Sequence, residues 1–412
     1  MNTQTLPSVS KTTLCVLYLI IFLGSAGFFI TIPAYVSLFL TNEHSMAIAK
    51  AMSLKDRREL FGTVMSAAPF LSMFFTPFIA RFADRFNRKM VMLGCLGVAA
   101  LGFALPVYAI VAGSVILLFA GNMINSIGSA SQPIAQAILA DNSHGKNKAT
   151  LMSLVAVVMT AAMSFGPALG SKLLASYGPT GPFYACLLIA VVCGALLLLV
   201  TCPKQITVPE ENPFSLAAPL ARSHAGLLKC LLIVFLCQFS WSLYFQNISF
   251  IFPQIFHLSV ESSQYQYYMM AVGIVMMVSL VSLPRLVLSW LPLTRALKLV
   301  LTAAGAGMVL LAWTPSLVTN AIVMVLTATM VALAFPLYIT ALSDRASDQD
   351  QGWAMALSSA MVGLAWTLTG YLTAIMVNID IKLPTLVAAF GYAAALMLIP
   401  RSPSNVLKEA KV

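Results

Sequence analysis

Apolar residues run along this chain in blocks of about 20, and short polar connections separate one block from the next. A block of that length crosses a bilayer's hydrocarbon core as a helix, which keeps its backbone donors and acceptors satisfied where no water can reach them. The pattern predicts helices near residues 13–40, 60–80, 90–112, 114–140, 149–171, 181–202, 230–256, 265–290, 296–314, 317–342, 353–377 and 383–400. The expected fold class is therefore an all-α membrane protein with twelve transmembrane helices. Every Lys, Arg, Asp and Glu then falls in a connection or near a helix end. The first block is too long for a signal-peptide core and lacks a convincing small-residue cleavage pattern, so it is kept as span 1, with the mature chain starting near Met1.

The polar stretch 203–229 divides the blocks into two sets of six: an N-terminal bundle at 1–202, a cytoplasmic linker at 203–229 and a C-terminal bundle at 230–412. The end of span 4, from Gln132-Pro133 to Asp141, repeats at the end of span 10 as Phe335-Pro336 to Asp344. Met152 and Met355 follow at the same distance in each half. A shared Pro, Asp and Met at matching places point to duplication, and two pseudo-symmetric six-helix halves are a transporter architecture.

Composition narrows the class further. Hydrophobic residues make up 60% of the chain and charged residues 9%, and mean hydropathy is +0.91. A soluble domain carries roughly 25% charged residues. The formal net charge of +10 comes from basic residues scattered among short connections, which excludes a nucleic-acid face and reads as a topology signal. A cytoplasmic N-terminus places most of them inside, among them Arg81, Arg85, Arg88, Lys89, Lys146, Lys148, Arg285, Arg295, Lys298, Arg401, Lys408 and Lys411; the C-terminus is then cytoplasmic too. Lys50, Lys55, Arg57 and Arg58 dissent, falling in the outer loop between spans 1 and 2 as either a solvated turn or a basic mouth. The seven cysteines form no C-x-x-C pair, and His44, His144, His224 and His257 all lie in loops. No metal or cofactor is expected. The spans hold no nucleophile and base constellation, so an enzyme is not expected either.

After span 2 the chain reads Ala80-Arg81-Phe82-Ala83-Asp84-Arg85-Phe86-Asn87-Arg88-Lys89, which resembles the signature loop of the major facilitator superfamily, G-x-L-A-D-R-x-G-R-K. Ala80 and Asn87 stand where that family has glycine, and Asn87 is expected to supply the left-handed turn. The resemblance implies a gate in which Asp84 caps the start of span 11 near Gly352 and Trp353, while Arg85 and Arg88 bridge the halves. In span 5, Gly166-Pro167-Ala168-Leu169-Gly170 resembles the G-P-x-x-G motif of the twelve-span drug:proton antiporter-like exporter branch. Gly166, Pro167 and Gly170 thin one helix face and remove a backbone donor, so that a neighbour packs closely. Thr369, Gly370 and Thr373 hold the matching places in the other half. Antiporters of this branch carry an acid in span 1 and an arginine early in span 4. Here span 1 around Gly24-Ser25-Ala26-Gly27-Phe28 has no acid, and Asn122 fills the arginine place. Protons are left as a coupling partner without their usual carboxyl, with Glu59, Asp84 and Asp141 as substitutes at span ends.

What remains inside the spans is neutral and polar. Asn122, Asn125, Ser129, Gln132 and Gln136 fall on one face of span 4 if it is a continuous helix. The stripe is either interhelical glue or a substrate-binding wall. The duplicated places in span 10, Val325, Ala328, Ala332, Phe335 and Ile339, are apolar. Span 7 adds Gln238, Trp241 and Phe245, and span 11 adds Ser359, Trp366, Gly370 and Thr373. Amide and aromatic walls suit a small amphiphilic organic solute. The resemblance implies an exporter of a drug or secreted metabolite, siderophores included, acting as a monomer in a bacterial inner membrane. A facilitative or symport importer of a nutrient, and a non-transporting receptor or partner subunit, are the alternatives.

Overall fold

A computed structural model describes residues 10–40, 52–141, 145–201, 225–345 and 351–399. The described residues form α-helices joined by short turns. In the first half these are α1 (Lys11–Leu40), α2 (Leu54–Arg85), α3 (Arg88–Ala112), α4 (Val115–Gly128), α5 (Ser131–Asp141), α6 (Gly145–Tyr177) and α7 (Gly181–Leu199). In the second half they are α8 (Ala225–Gln254), α9 (Ser263–Trp290), α10 (Leu293–Ala312), α11 (Leu317–Ser343), α12 (Gln351–Ile379) and α13 (Leu383–Leu398). Ten helices among the described residues are long and apolar enough to cross a membrane. The apolar blocks that fall short are the last, where α13 is a shorter apolar helix, and the block expected at 114–140, which is not one helix but the pair α4 and α5.

Helix starts follow side-chain caps. The Ser53 hydroxyl accepts from the Asp56 N–H at 3.2 Å, so α2 begins at Leu54 rather than near residue 60. Lys55, Arg57 and Arg58 accordingly lie in its first turns and not in a loop, and Arg57 is buried. Ser114 and Ser316 cap α4 and α11 in the same way, each satisfying an N–H that a helix start leaves open.

The chain divides into two compact units, Met1–Pro209 with Ser249–Ile274, and Glu210–Ile248 with Val275–Val412. In the first unit α1 packs against α6, α5 and α7, and its second half, Ile30 to Phe39, is buried on every side. Small residues set how closely helices approach there. A Cβ on Gly102 would meet the Asn125 backbone at 2.5 Å, and one on Gly128 would meet that of Ala99 at the same distance, so α3 and α4 lie backbone to backbone. The segment Ser249–Ile274 is fixed onto this unit by the Ser171 hydroxyl donating to the Val260 carbonyl (2.6 Å), by Ser37 Oγ donating to Glu261 Oε1 (3.3 Å), and by Phe61 and Phe250 edge to face at 5.6 Å. In the second unit α10 packs between α11 and α13. Gly307 of α10 faces Thr327 of α11 with no room for a side chain.

Candidate functional site

Span 4 breaks at Ser129 and Ala130 because several local preferences coincide there. Pro133 has no N–H to give to the Ser129 carbonyl, and the chain tightens instead: Ala130 N–H donates to Ile127 O (3.2 Å) and Gln132 N–H to Ser129 O (3.0 Å). Two serine hydroxyls bond back three residues, Ser126 to Met123 O (2.7 Å) and Ser129 to Ser126 O (2.6 Å), competing with the helical ladder. Gly128, the weakest helix former after proline, sits between them. The expectation of a continuous amide stripe down one helix face is corrected by this break.

The five stripe residues consequently separate. The buried Asn122 donates through Nδ2 to the Val64 carbonyl of α2 at 2.7 Å, and Gln136 donates to Met159 Sδ of α6 at 3.5 Å. Asn125, Ser129 and Gln132, by contrast, line one cavity of roughly 170 Å³. Its other walls are Leu23, Gly24, Gly27 and Phe28 of α1, Ala68, Pro69 and Ser72 of α2, and Ala99 and Phe103 of α3. Ser72 Oγ lies 3.4 Å from Ser129 Oγ, tying α2 to the break. Gly24 makes the space at Gln132, since a Cβ on it would stand 2.7 Å from the Gln132 Cβ. Ser126 and Ser131, which the stripe did not include, also line the cavity.

The aromatic and amide residues of the second unit also come together, but with the Gln238 amide committed at both ends. Gln238 donates through Nε2 to the Tyr338 hydroxyl (2.7 Å) and accepts through Oε1 from Trp366 Nε1 (3.4 Å), joining α8, α11 and α12. Trp241 and Phe245 have ring centroids 5.9 Å apart, and Phe245 and Trp366 are 5.8 Å apart. Trp241 Nε1 is buried without a hydrogen-bond partner among the described residues. Below them Gln246 donates to Thr369 Oγ1 (2.8 Å), and the Ser242 hydroxyl lies against the same oxygen. Tyr338, Ser242, Gln246 and Thr369 join this cluster, although the sequence pattern assigned none of them to a binding wall. Gln238, Ser242 and Gln246, each four residues apart on one face of α8, carried the signal.

In the loop after α2, Asn87 is not left-handed. Its φ of −87° and ψ of 110° are extended, and its Oδ1 accepts from the Lys89 N–H, which makes it the N-cap of α3. An Asn in place of glycine thus exchanges a turn conformation for a cap. Lys89 Nζ donates to the carbonyls of Leu198 (3.0 Å) and Val200 (2.8 Å) at the end of α7, where a cation meets the negative end of the helix dipole. The side chains of Asp84, Arg85, Asp141 and Trp353 and the surroundings of Gly352 lie outside what the structure describes; Arg88 is half-buried at the start of α3. In α6, Gly166 and Gly170 face α1: a Cβ on Gly166 would stand 2.7 Å from Phe29 Cβ, and one on Gly170 would collide with the Ile30 carbonyl.

The family model described as the Major Facilitator Superfamily matches residues 14–370, and the chain belongs to that superfamily. This places it among multi-pass membrane transporters and not among enzymes. It is 27% identical over 213 residues to the class C tetracycline resistance protein of Escherichia coli, a match covering 51% of this chain and 49% of that protein. The class G tetracycline resistance protein of Vibrio anguillarum is 26% identical over 131 residues, covering 31% of this chain and 32% of the relative. The chain thus matches about half, or less, of the length of these curated relatives. Among solved structures, the inward-open xylose transporter XylE from E. coli superposes with a TM-score of 0.73 at 14% identity, covering 97% of this chain and 98% of that one. The human organic anion transporter MFSD10 does so with 0.70 at 18% identity, covering 95% and 99%. Likeness at such identity shows the fold.

Proposed function

We propose that this chain exports a small amphiphilic organic compound, a drug or a secreted metabolite, across a bacterial inner membrane by alternating access. It does so as a monomer of twelve spans in two six-helix bundles, with both termini cytoplasmic. The α4–α5 pair is span 4 and α13 the last span. Asp84, Arg85 and Arg88 form the cytoplasmic gate, and the Gly166-Pro167-x-x-Gly170 face of α6 is the surface along which span 1 moves. The solute contacts Asn125, Ser129 and Gln132 in the cavity of the first unit.

The observation that carries the reading is the seating of Gly166 and Gly170 on Phe29 and Ile30. The glycines of an exporter-type motif bring α6 against the same helix, α1, whose Leu23, Gly24, Gly27 and Phe28 line the cavity. Movement between the two helices therefore reshapes the cavity wall. The partial matches to tetracycline resistance proteins support the outward direction and the bacterial membrane.

Everted membrane vesicles carrying the chain test this. Energised and incubated with a metabolite extract plus tetracycline, they should accumulate an amphiphilic compound that vesicles without the chain leave outside, as read by mass spectrometry. Accumulation of the compound only by intact cells would overturn export.

A further inference from the structure

The polar groups of the cavity in the first unit are not equally occupied. Ser72, Ser126 and Ser129 are held by one another or by helix carbonyls. The side chains of Asn125, Ser131 and Gln132 hydrogen-bond nothing among the described residues, and all three line the cavity. Ser131 is the most telling, since the residue is only 2% exposed and lines the cavity with no partner for its hydroxyl among the described residues. A buried polar group is ordinarily satisfied, and leaving one open costs free energy. Two amides and a hydroxyl are thus left open around one space, against Phe28, Phe103 and Leu23. Ser131 is also the first residue of α5, an 11-residue helix whose positive dipole end therefore borders the cavity. Among the described residues the lining contains no charged side chain.

We propose that this cavity is the subsite for an acceptor oxygen of the transported compound, a carbonyl or carboxylate carried on a ring-sized apolar group. The oxygen accepts from the Asn125 and Gln132 amide nitrogens and the Ser131 hydroxyl, while the ring lies on Phe28 and Phe103. Size supports the assignment: apolar cavities of about 150 Å³ hold a benzene ring, and this one measures roughly 170 Å³. A cationic, donor-only group finds no anion in the lining and faces the wrong end of the α5 dipole. The proposal rests on reading this cavity as part of the transported compound's path.

Three probes of nearly one shape separate the chemistries: benzoate, benzamide and benzamidine. The midpoint of thermal unfolding of the purified full chain should rise with benzoate or benzamide and stay put with benzamidine, because a ligand stabilises the state that binds it. The larger shift of the first two identifies a carboxylate or a neutral carbonyl as the oxygen recognised. Ser131→Ala and Gln132→Met should each lose most of the shift while keeping the unliganded midpoint. Where either variant fails to fold, alkylation of Ser131→Cys by a neutral maleimide, read by peptide mass spectrometry, should be slowed by benzoate or benzamide and not by benzamidine. Equal effects of all three probes, no effect of any, or an undiminished shift in both folded variants would overturn the subsite. The vesicle assay reads export separately. Probe binding without accumulation removes export and leaves the subsite, whereas accumulation without probe binding removes only the subsite.

Discussion

Span 4 and α11 end in the same Pro-to-Asp pattern, yet only one of them is broken. Before Pro133 the chain reads Gly128-Ser129-Ala130-Ser131-Gln132, and before Pro336 it reads Val331-Ala332-Leu333-Ala334-Phe335. The first run offers the Ser129 hydroxyl, which bonds back to Ser126 as Ser126 just before it bonds back to Met123, and a glycine that costs up to ~1 kcal/mol in a helix. The second has no competing polar group, and α11 runs unbroken from Leu317 to Ser343. A proline alone therefore does not break a span here; it does so where its neighbours already prefer other partners. The amides divide along the same line. Gln238 is tied to Tyr338 and Trp366, while Asn125 and Gln132 line the cavity with no side-chain partner among the described residues. The second unit has spent Gln238 on structure, as the first has spent Asn122 and Gln136, but the first keeps Asn125 and Gln132 open on its cavity.

The contrast can be broken most severely at α6. Gly170→Ala should destabilise the purified protein by ~1–3 kcal/mol, as overpacking does, because the new methyl has to displace the Ile30 backbone. Thr373→Ala, at the duplicated place, removes only a bond to Thr369 O in its own helix and should cost about 1 kcal/mol or less. Denaturant or thermal unfolding in detergent measures both.

Next comes Gln238→Leu, which removes the donor to the Tyr338 hydroxyl and the acceptor facing the Trp366 N–H. A cost of roughly 1–3 kcal/mol is expected for buried groups left unsatisfied, read as a lowered unfolding midpoint. Asn122→Leu should cost ~0.6–2 kcal/mol, the range for a hydrogen bond between membrane helices, through loss of the bond to Val64 O, with solute affinity nearly unchanged. The smallest stability effect belongs to Pro133→Ala. It restores a donor for the Ser129 carbonyl and should change stability by about 1 kcal/mol or less while slowing transport in vesicles by closing the break. Pro336→Ala in α11 should leave transport as it was.

Much of the fold was legible because a bilayer leaves the chain few options: blocks of apolar residues must be helices, and their lengths and caps mark the ends. The misread places are those where a side chain competes with the backbone. Ser53 starts α2 early and draws Lys55, Arg57 and Arg58 into it. Asn87 caps where a left-handed turn was expected, and Ser126 and Ser129 help to end α4. Candidate site residues were found by periodicity, which assumes a straight helix. That assumption grouped Asn122 and Gln136 with Asn125, Ser129 and Gln132, and it left out Ser131, which reaches the cavity only because the span breaks. Whether an amide is committed or open depends on what the opposite helix supplies, a carbonyl at Val64 or a hydroxyl at Tyr338, and no spacing within one helix records that.

The most direct measurement pairs transport with stability in two variants, Gln132→Met and Gln238→Met. Everted vesicles give accumulation of the exported compound, and the same proteins purified give unfolding midpoints. The expected result is that Gln132→Met lowers accumulation about tenfold at subsaturating solute, the equivalent of one lost hydrogen bond of ~1.4 kcal/mol, with an unchanged midpoint, while Gln238→Met lowers the midpoint. A Gln132→Met protein that melts early and transports normally would contradict the account.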